Sequence, residues 1–109
     1  MAKFKVYWSK SAEIDLQEIF DYISSDRPGA ARALHIRIRE AAAKLERNPD
    51  RCRKLPELEE LGMMAYRELL AKPYRIIFKM AGDQVYVIAI IDARRDLETV
   101  LFQRILRMD

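Results

Sequence analysis

The feature that most constrains the fold of this chain is a run of seven apolar or aromatic residues from Val85 to Ile91. Successive side chains of an extended strand point to opposite faces of a sheet, so such a run is apolar on both faces. The two alternating sets are Val85, Val87, Ala89 and Ile91 on one face, and Tyr86, Ile88 and Ile90 on the other. We therefore predict a central strand over Gln84 to Asp92. A membrane span takes about 20 apolar residues, so this run is too short to be one.

Three further segments have the pattern of strands. Lys3 to Trp8 is apolar at every second residue from Phe4 onwards. Tyr66 to Leu70 and Tyr74 to Met80 are rich in aromatic and aliphatic residues, and Pro73 separates them. Ala81-Gly82-Asp83 then predicts a tight turn into the central strand.

Two amphipathic helices are predicted between the first strand and the others. Ser9 or Ser11 can cap the first helix, whose apolar residues recur at spacings of three and four until it ends within Ser24 to Arg27. The second helix starts at Pro28 and ends before Asn48-Pro49, because the residue before a proline avoids helical angles. The short break between them predicts an antiparallel helical hairpin.

The two remaining segments complete the predicted order of elements. Arg51 to Ala65 is irregular and acidic, which suggests an exposed loop or a single acidic turn, and Asp96 to Met108 fits a short helix. The predicted fold is α+β: an N-terminal strand, a two-helix hairpin packed on a mainly antiparallel four-stranded sheet, and a short C-terminal helix. With 109 residues, half of them apolar, and no internal repeat, residues 1–109 are expected to form a single domain.

Several kinds of site are excluded or disfavoured by the residues present. His35 is the only histidine and Cys52 the only cysteine, so no metal site, no disulfide and no cofactor are expected. Arg51 and Arg53 flank Cys52 and could lower the pKa of its thiol, but no base accompanies it. Neither a glycine-rich phosphate loop nor a GxSxG motif is present.

Arginines on the predicted strands are the best candidates for binding. Twenty Lys and Arg against 17 Asp and Glu give a net charge of +3, which permits a local basic patch. Arg75 and Lys79 share a strand face, and Arg94-Arg95 follow the last strand. Guanidinium groups suit phosphate or carboxylate partners. The alternative is a solvated sheet face whose arginines pair with Glu68, Asp92, Asp96 and Glu98.

Taken together, five pieces of the sequence resemble one known family. They are Ser11-Ala12 with Asp15-Leu16, Ile19 and Tyr22-Ile23; Leu45 to Pro49; Tyr66 to Leu69; Pro73 to Phe78; and Ile91 to Leu97. In this order and at these separations, the chain resembles the RelE/ParE toxin superfamily of type II toxin–antitoxin systems, and specifically its ParE or plasmid-stabilisation branch.

This resemblance implies a small cytoplasmic toxin that arrests growth and is neutralised in a hetero-oligomeric complex with a cognate antitoxin. ParE-like members inhibit DNA gyrase and have no established hydrolytic chemistry. RelE-like members are endoribonucleases that cleave mRNA on the ribosome, with cations holding the phosphate and another group transferring a proton. A third reading is a non-toxic binding module.

Departures from the RelE-like pattern favour the gyrase inhibitor over the enzyme. The basic positions of the RelE-like site that are kept fall on Arg67, Arg75 and Arg95. A lysine and a tyrosine of that site are replaced by Leu69 and Leu101, and an aliphatic side chain transfers no proton. Asp92, where many members have a histidine, is the remaining possible base. If the chain were a ribonuclease, its catalytic set would be Arg67, Arg75, Asp92 and Arg95.

The expected contact residues follow from the same comparison. Arg75, Arg94 and Arg95, with Arg67 behind them, are the candidates for a cationic site that binds phosphate or an acidic protein surface. The segment Gln103 to Arg107 is a further candidate. Tyr22 and His35 on the helical hairpin, together with an exposed sheet edge, are candidates for binding the antitoxin.

Overall fold

The elements follow the predicted order along the chain. The structure is a computed structural model that describes residues 3–106. Its helices and strands are β1 (Lys5–Trp8), α1 (Lys10–Ser24), α2 (Pro28–Ala43), two short 3-10 turns (Lys44–Glu46 and Pro49–Arg51), β2 (Arg53–Lys54), α3 (Pro56–Glu59), β3 (Tyr66–Ala71), β4 (Tyr74–Ala81), β5 (Gln84–Asp92) and α4 (Leu97–Leu106). The last two residues of the predicted C-terminal helix, Arg107 and Met108, lie outside the described residues.

The five strands form one sheet in the order β1-β5-β4-β3-β2. β1 runs parallel to β5, and the other neighbours are antiparallel. The predicted α+β, mainly antiparallel fold is therefore confirmed, with five strands instead of four. The additional strand, β2, pairs Arg53 and Lys54 with Glu68 and Arg67. Two polar residues carry no alternation, so no pattern in the sequence indicated this strand.

The helical hairpin covers one face of the sheet. Ser9 caps α1 by accepting a hydrogen bond from the N–H of Ala12 (3.0 Å), and Pro28 occupies the first turn of α2. The buried residues of this core include Ala12, Leu16, Ile38, Ala42, Leu45, Ile76, Phe78, Val85 and Val87. Phe4, Val6 and Trp8 pack against them from β1, as their alternation predicts. No helix within residues 3–106 is both long and apolar enough to cross a membrane.

The opposite face of the sheet, here called the outer face, is also covered. Leu55 and Leu58 from α3 and Leu97 and Leu101 from α4 are buried against it. Their partners on the strands are Tyr66, Ile77, Ile88, Ala89 and Ile91. The region from Arg51 to Ala65 does contain a single acidic turn, α3, but its leucines close a second core. The outer face is therefore packed in its middle and is not the solvated surface considered above.

A β-bulge changes the direction of the side chains along β5. Ile77 is opposite Ala89 while the next residue, Phe78, is opposite Val87, so Ile88 is the extra residue. An extra residue in one strand shifts the alternation of all residues beyond it. Consequently Ala89 and Ile91 lie in the outer-face core, on the other side of the sheet from Val85 and Val87. The prediction that all four share a face is wrong, because strict alternation assumes an unbroken ladder.

Candidate functional site

Arg75 lies in a cluster of paired charges on the outer face. Its Nε is 2.5 Å from Oε1 of the buried Glu68, and its Nη1 is 3.4 Å from Oε2 of Glu57. Glu68 also contacts Arg53, with 3.2 Å between Oε2 and Nε. We call these four residues the Glu68 cluster. The side chain of Arg75 is only 12% exposed, and each of its three guanidinium nitrogens is within hydrogen-bond distance of a carboxylate.

Arg67 lies on the other face of the sheet from Arg75. It is opposite Phe78 in the β3–β4 ladder, and Phe78 belongs to the core under the helical hairpin. The Nη1 of Arg67 donates a hydrogen bond of 2.7 Å to the carbonyl of Cys52. The structure therefore does not bring Arg67 and Arg75 together.

The thiol of Cys52 has no activating environment. Burial raises the pKa of the Cys52 thiol, and the positive charge of Arg67 offsets only part of that effect. The sequence suggested that the flanking Arg51 and Arg53 lower this pKa, but desolvation of the thiolate is the largest effect and raises it.

The arginines at the end of β5 are placed differently. Arg94 is 81% exposed, and its guanidinium holds the carboxylate of Asp92 with Nε–Oδ1 and Nη2–Oδ2 distances of 3.0 and 2.7 Å. Arg95 is exposed, and its guanidinium has no ion pair with any residue in the range 3–106. We call Arg94 and Arg95 the β5-end arginines. They offer donor groups to solvent that Arg75 does not.

Asp92 is a poor base in this setting. Side-chain and backbone hydrogen bonds from Arg94 lower the pKa of Asp92 to about 2. A carboxylate with so low a pKa is ionised at neutral pH but has little tendency to accept a proton from a substrate. Its structural effect is to hold the turn that follows β5, where the N–H of Arg95 also donates to the carbonyl of Asp92 (3.1 Å).

A cleft of about 540 Å³ lies between α1 and the end of β5. Ile19, Ile23, Ile90, Tyr22 and Tyr74 are among its lining residues, together with Asp15, Glu18, Asp92 and the β5-end arginines. Tyr22 is 83% exposed at the edge of this α1–β5 cleft. Burial raises the pKa of Tyr74, and so does the nearby carboxylate of Asp92. The cleft therefore joins residues predicted to contact the target with one predicted to contact the antitoxin.

His35 does not line this cleft. Its ring packs edge-to-face against Phe20, with 5.8 Å between the ring centroids, and so joins α2 to α1. Within residues 3–106, no group of three histidine, cysteine or acidic side chains is placed to hold a metal ion.

Arg104, from the candidate segment Gln103 to Arg107, makes internal contacts. Its guanidinium donates to both carboxylate oxygens of Asp15, at 2.8 and 2.9 Å, and to the carbonyl of Ile88 at 2.8 Å. Asp15 also accepts the backbone N–H of Ile90 (3.0 Å). This pair thus ties α4 to α1 across the bulge of β5. The sequence does not reveal it, because Asp15 and Arg104 are 89 positions apart. Arg107 lies outside the described residues.

The positions that would carry proton transfer in a RelE-like site hold packing residues. Leu101 is fully buried in the outer-face core, and Leu69 is half-buried against the core under the hairpin. Neither has a titratable group, and no lysine, histidine or tyrosine replaces them in the Glu68 cluster. The exposed β5-end arginines can bind an anion, and the adjacent Asp92, with its pKa of about 2, is a weak proton acceptor.

Comparisons with known proteins agree with this fold. Residues 6–97 match the model of a family described as the ParE toxin of the type II toxin–antitoxin system parDE. A curated relative, Toxin RelE2 of Caulobacter vibrioides, is 34% identical over 92 residues, which cover 84% of this chain and 97% of that protein.

Three solved structures share the fold at low sequence identity. A chain of the chromosomal ParDE system from P. aeruginosa superposes with a TM-score of 0.67 at 20% identity, covering 83% of this chain and 96% of that one. The toxin–antitoxin complex RelBE2 from Mycobacterium tuberculosis gives 0.58 at 19% identity, with 84% and 93% covered. A mutant of E. coli RelE in the free state gives 0.60 at 18% identity, with both chains fully covered.

The family match covers most of the chain, and the curated relative is aligned over nearly its whole length. Together with the sheet order and the two-helix hairpin, this shows that the chain belongs to the ParE toxin family within the RelE/ParE superfamily, the toxins of type II toxin–antitoxin systems.

Proposed function

We propose that this toxin acts in the cytoplasm by inhibiting DNA gyrase through binding, with residues 1–109 acting as one domain. The observation that carries the proposal is the chemistry at the end of β5. Arg94 and Arg95 are exposed cations, whereas the carboxylate beside them, Asp92, has a pKa of about 2. Such a surface binds phosphate or an acidic protein surface but does not exchange protons near neutral pH. The match to the ParE family supports gyrase as the target.

In this proposal the cognate antitoxin neutralises the toxin by covering the α1–β5 cleft. Tyr22 lies at the edge of this cleft and the β5-end arginines line it, so one bound segment can contact both. Binding of antitoxin and binding of target then exclude one another at Arg94 and Arg95. His35 contributes indirectly, because its ring packs α2 against α1. The neighbouring ParDE and RelBE2 assemblies support an antitoxin as partner.

Ribosome-dependent cleavage of mRNA is the second candidate, since the curated relative is named Toxin RelE2. An active site for that reaction would have to combine Arg67, Arg75, Asp92 and Arg95. Arg67 and Arg75 are on opposite faces of the sheet, and the donor groups of Arg75 face carboxylates. These contacts weigh against the ribonuclease.

The deciding experiment runs two assays side by side on the purified toxin. One assay measures gyrase supercoiling and trapped cleaved DNA, and the other measures translation-dependent cuts in mRNA. The proposal expects inhibited supercoiling with intact mRNA. Cuts in mRNA with unaffected gyrase would establish the ribonuclease instead, and the absence of both effects would leave a non-toxic binding module.

A variant of the β5-end arginines tests the proposed contact. Replacing both Arg94 and Arg95 by alanine should abolish gyrase inhibition, while Arg51→Ala, an exposed arginine outside the cleft, should not. Antitoxin affinity should fall in the double variant as well, because the proposal places both arginines under the bound antitoxin. Unchanged gyrase inhibition by the double variant would remove these residues from the target contact.

A further inference from the structure

The outer face carries a second cleft, which the proposed function does not use. Its volume is about 440 Å³, and it lies beside the sheet edge formed by β1. The residues of interest in its lining are Tyr7, Trp8, Lys10, Lys79 and Tyr86. The lining contains two lysines and no acidic residue, in contrast to the α1–β5 cleft, where three carboxylates accompany two arginines.

Aromatic side chains form a row across four strands at this cleft. Tyr7 is opposite Tyr86, Tyr86 is opposite Lys79, and Lys79 is opposite Tyr66. The rings of Tyr7 and Tyr86 are stacked, with 5.5 Å between centroids and an angle of 22° between planes. The ammonium of Lys79 lies 5.8 Å from the ring centroid of Tyr66. Tyr7 is 43% exposed, so the row ends in a ring that another planar group can contact.

The lysines around this row have no carboxylate partner. Neither Lys10 nor Lys79 forms an ion pair with any residue between positions 3 and 106, nor does Lys5, which shares the outer face with Tyr7. The hydroxyl of Tyr86, which belongs to the row, donates its hydrogen bond to the neutral side chain of Gln84. No carboxylate therefore neutralises these lysines, although Lys79 lies over the ring of Tyr66, and their positive charge is available to a ligand.

We propose that this tyrosine–lysine cleft binds single-stranded nucleic acid. One base stacks on Tyr7, and the adjoining phosphates contact Lys10 and Lys79. Stacking on an aromatic ring accepts any base, and lysines that track the backbone supply charge without sequence preference. A duplex fits less well, because its bases already stack on one another. Single-stranded DNA and RNA offer the same chemistry, and the test below separates them.

The test uses the full-length toxin freed from its antitoxin. A fluorescein-labelled oligo-dT and a labelled oligo-U of equal length are titrated with the protein, and anisotropy is recorded at several salt concentrations. Binding should weaken with salt, with a slope of about −0.7 in log K for each phosphate neutralised.

Matched variants connect the signal to the cleft. Tyr7→Ala should weaken binding by about 5- to 150-fold, the usual loss for one stacked base, and Tyr7→Phe should keep the affinity. Lys10→Ala should reduce the salt slope by about 0.7. Phe102→Ala and Lys44→Ala remove an exposed ring and an exposed lysine elsewhere and should change nothing. Unaltered thermal melting of each variant establishes that it is folded.

Three results would overturn the proposal: equal affinity of Tyr7→Ala and the unmodified toxin, equal binding of a duplex, or displacement of the oligonucleotide by an equal charge concentration of poly-glutamate. The last would mean that only charge is recognised. Stronger binding of oligo-U than of oligo-dT would identify RNA as the preferred ligand, and stronger binding of oligo-dT would identify DNA. Neither gyrase nor ribosome is present, so these results concern the cleft alone.

Discussion

Arg75 and the β5-end arginines lie at the same end of the sheet but have opposite surroundings. Arg75 is surrounded by carboxylates of the Glu68 cluster and is 12% exposed, whereas Arg94 is 81% exposed. The residue type is the same, but Arg75 lies within β4 and is buried, whereas Arg94 lies in the turn after β5 and is exposed. A buried arginine needs partners to offset its desolvation, so it is committed to the fold, while an exposed arginine remains available to a partner protein or nucleic acid.

The difference in burial predicts two different reasons why mutation of an arginine would abolish toxicity. Loss of toxicity after mutation of Arg75 would follow from damage to the fold, and the same loss after mutation of Arg95 would follow from a lost contact. Stability measurements must therefore accompany every toxicity assay.

The largest effect is expected from Glu68→Ala. This change leaves Arg75 buried without its principal partner, and removal of one member of a buried pair costs about 3–5 kcal/mol. Urea unfolding of the purified toxin measures the loss. Replacing Glu68 and Arg75 together by leucine should recover most of it, because two apolar side chains need no partner. A loss below about 1 kcal/mol for Glu68→Ala would show that Arg75 is solvated and available.

A smaller effect is expected from Asp15→Ala. It removes the acceptor of both Arg104 and the N–H of Ile90, and hydrogen bonds that involve a charged group contribute about 1.5–3 kcal/mol. Thermal melting measures the loss, and faster hydrogen exchange at Ile90 locates it. Glu13→Ala, two residues earlier in α1, is the matched control, since the exposed Glu13–Arg39 pair contributes about 0–1 kcal/mol. Equal losses in the two variants would contradict a special role for the Asp15–Arg104 tie.

Arg95→Ala should leave stability within about 0.5 kcal/mol of the unmodified toxin, as for most exposed residues. Gyrase inhibition by this variant should nevertheless fall, since the proposed contact loses a cation. Supercoiling assays over a range of toxin concentrations measure the change. A variant that is equally inhibitory would move the target contact away from the β5-end arginines, and one that is strongly destabilised would place Arg95 in the fold.

The smallest effect concerns the titration of Asp92. Its pKa is lowered from 3.8 to about 2 by Arg94, so the associated stabilisation is fully present above about pH 4 and is lost as the pH falls towards 2. Stability between pH 5 and 8 should not depend on this group. Titration of its carboxyl carbon by NMR should give a value near 2, and Arg94→Ala should raise it towards 3.8. An unchanged pKa in Arg94→Ala would assign the shift to another cause.

Some elements of the fold could be predicted from the sequence and others could not. The helical hairpin, with its Ser9 cap and Pro28 start, could be predicted because capping and periodicity are local. The strand β2 could not be predicted, because two paired residues are too few to show an alternation. The burial of Leu55 and Leu58 could not be predicted either, because a single helical turn has no periodic pattern. The sheet face on which Ala89 and Ile91 lie was predicted wrongly, because the bulge in β5 arises from its pairing register with β4, which the sequence of β5 alone does not show.

In the candidate site, too, some residues could be identified from the sequence and others could not. The local signature Asp92 to Arg95 identified the exposed arginines, because the turn after a strand is formed by adjacent residues. The sequence alone also determined the fold class, the order of elements apart from β2 and, through the family resemblance, membership of a toxin family. Whether an arginine is free or committed depends on carboxylates brought from distant positions, such as Glu57 and Glu68 for Arg75, and Asp15 for Arg104. Only the tertiary structure decides those contacts, because ion pairing requires proximity in space, and long-range packing sets that proximity.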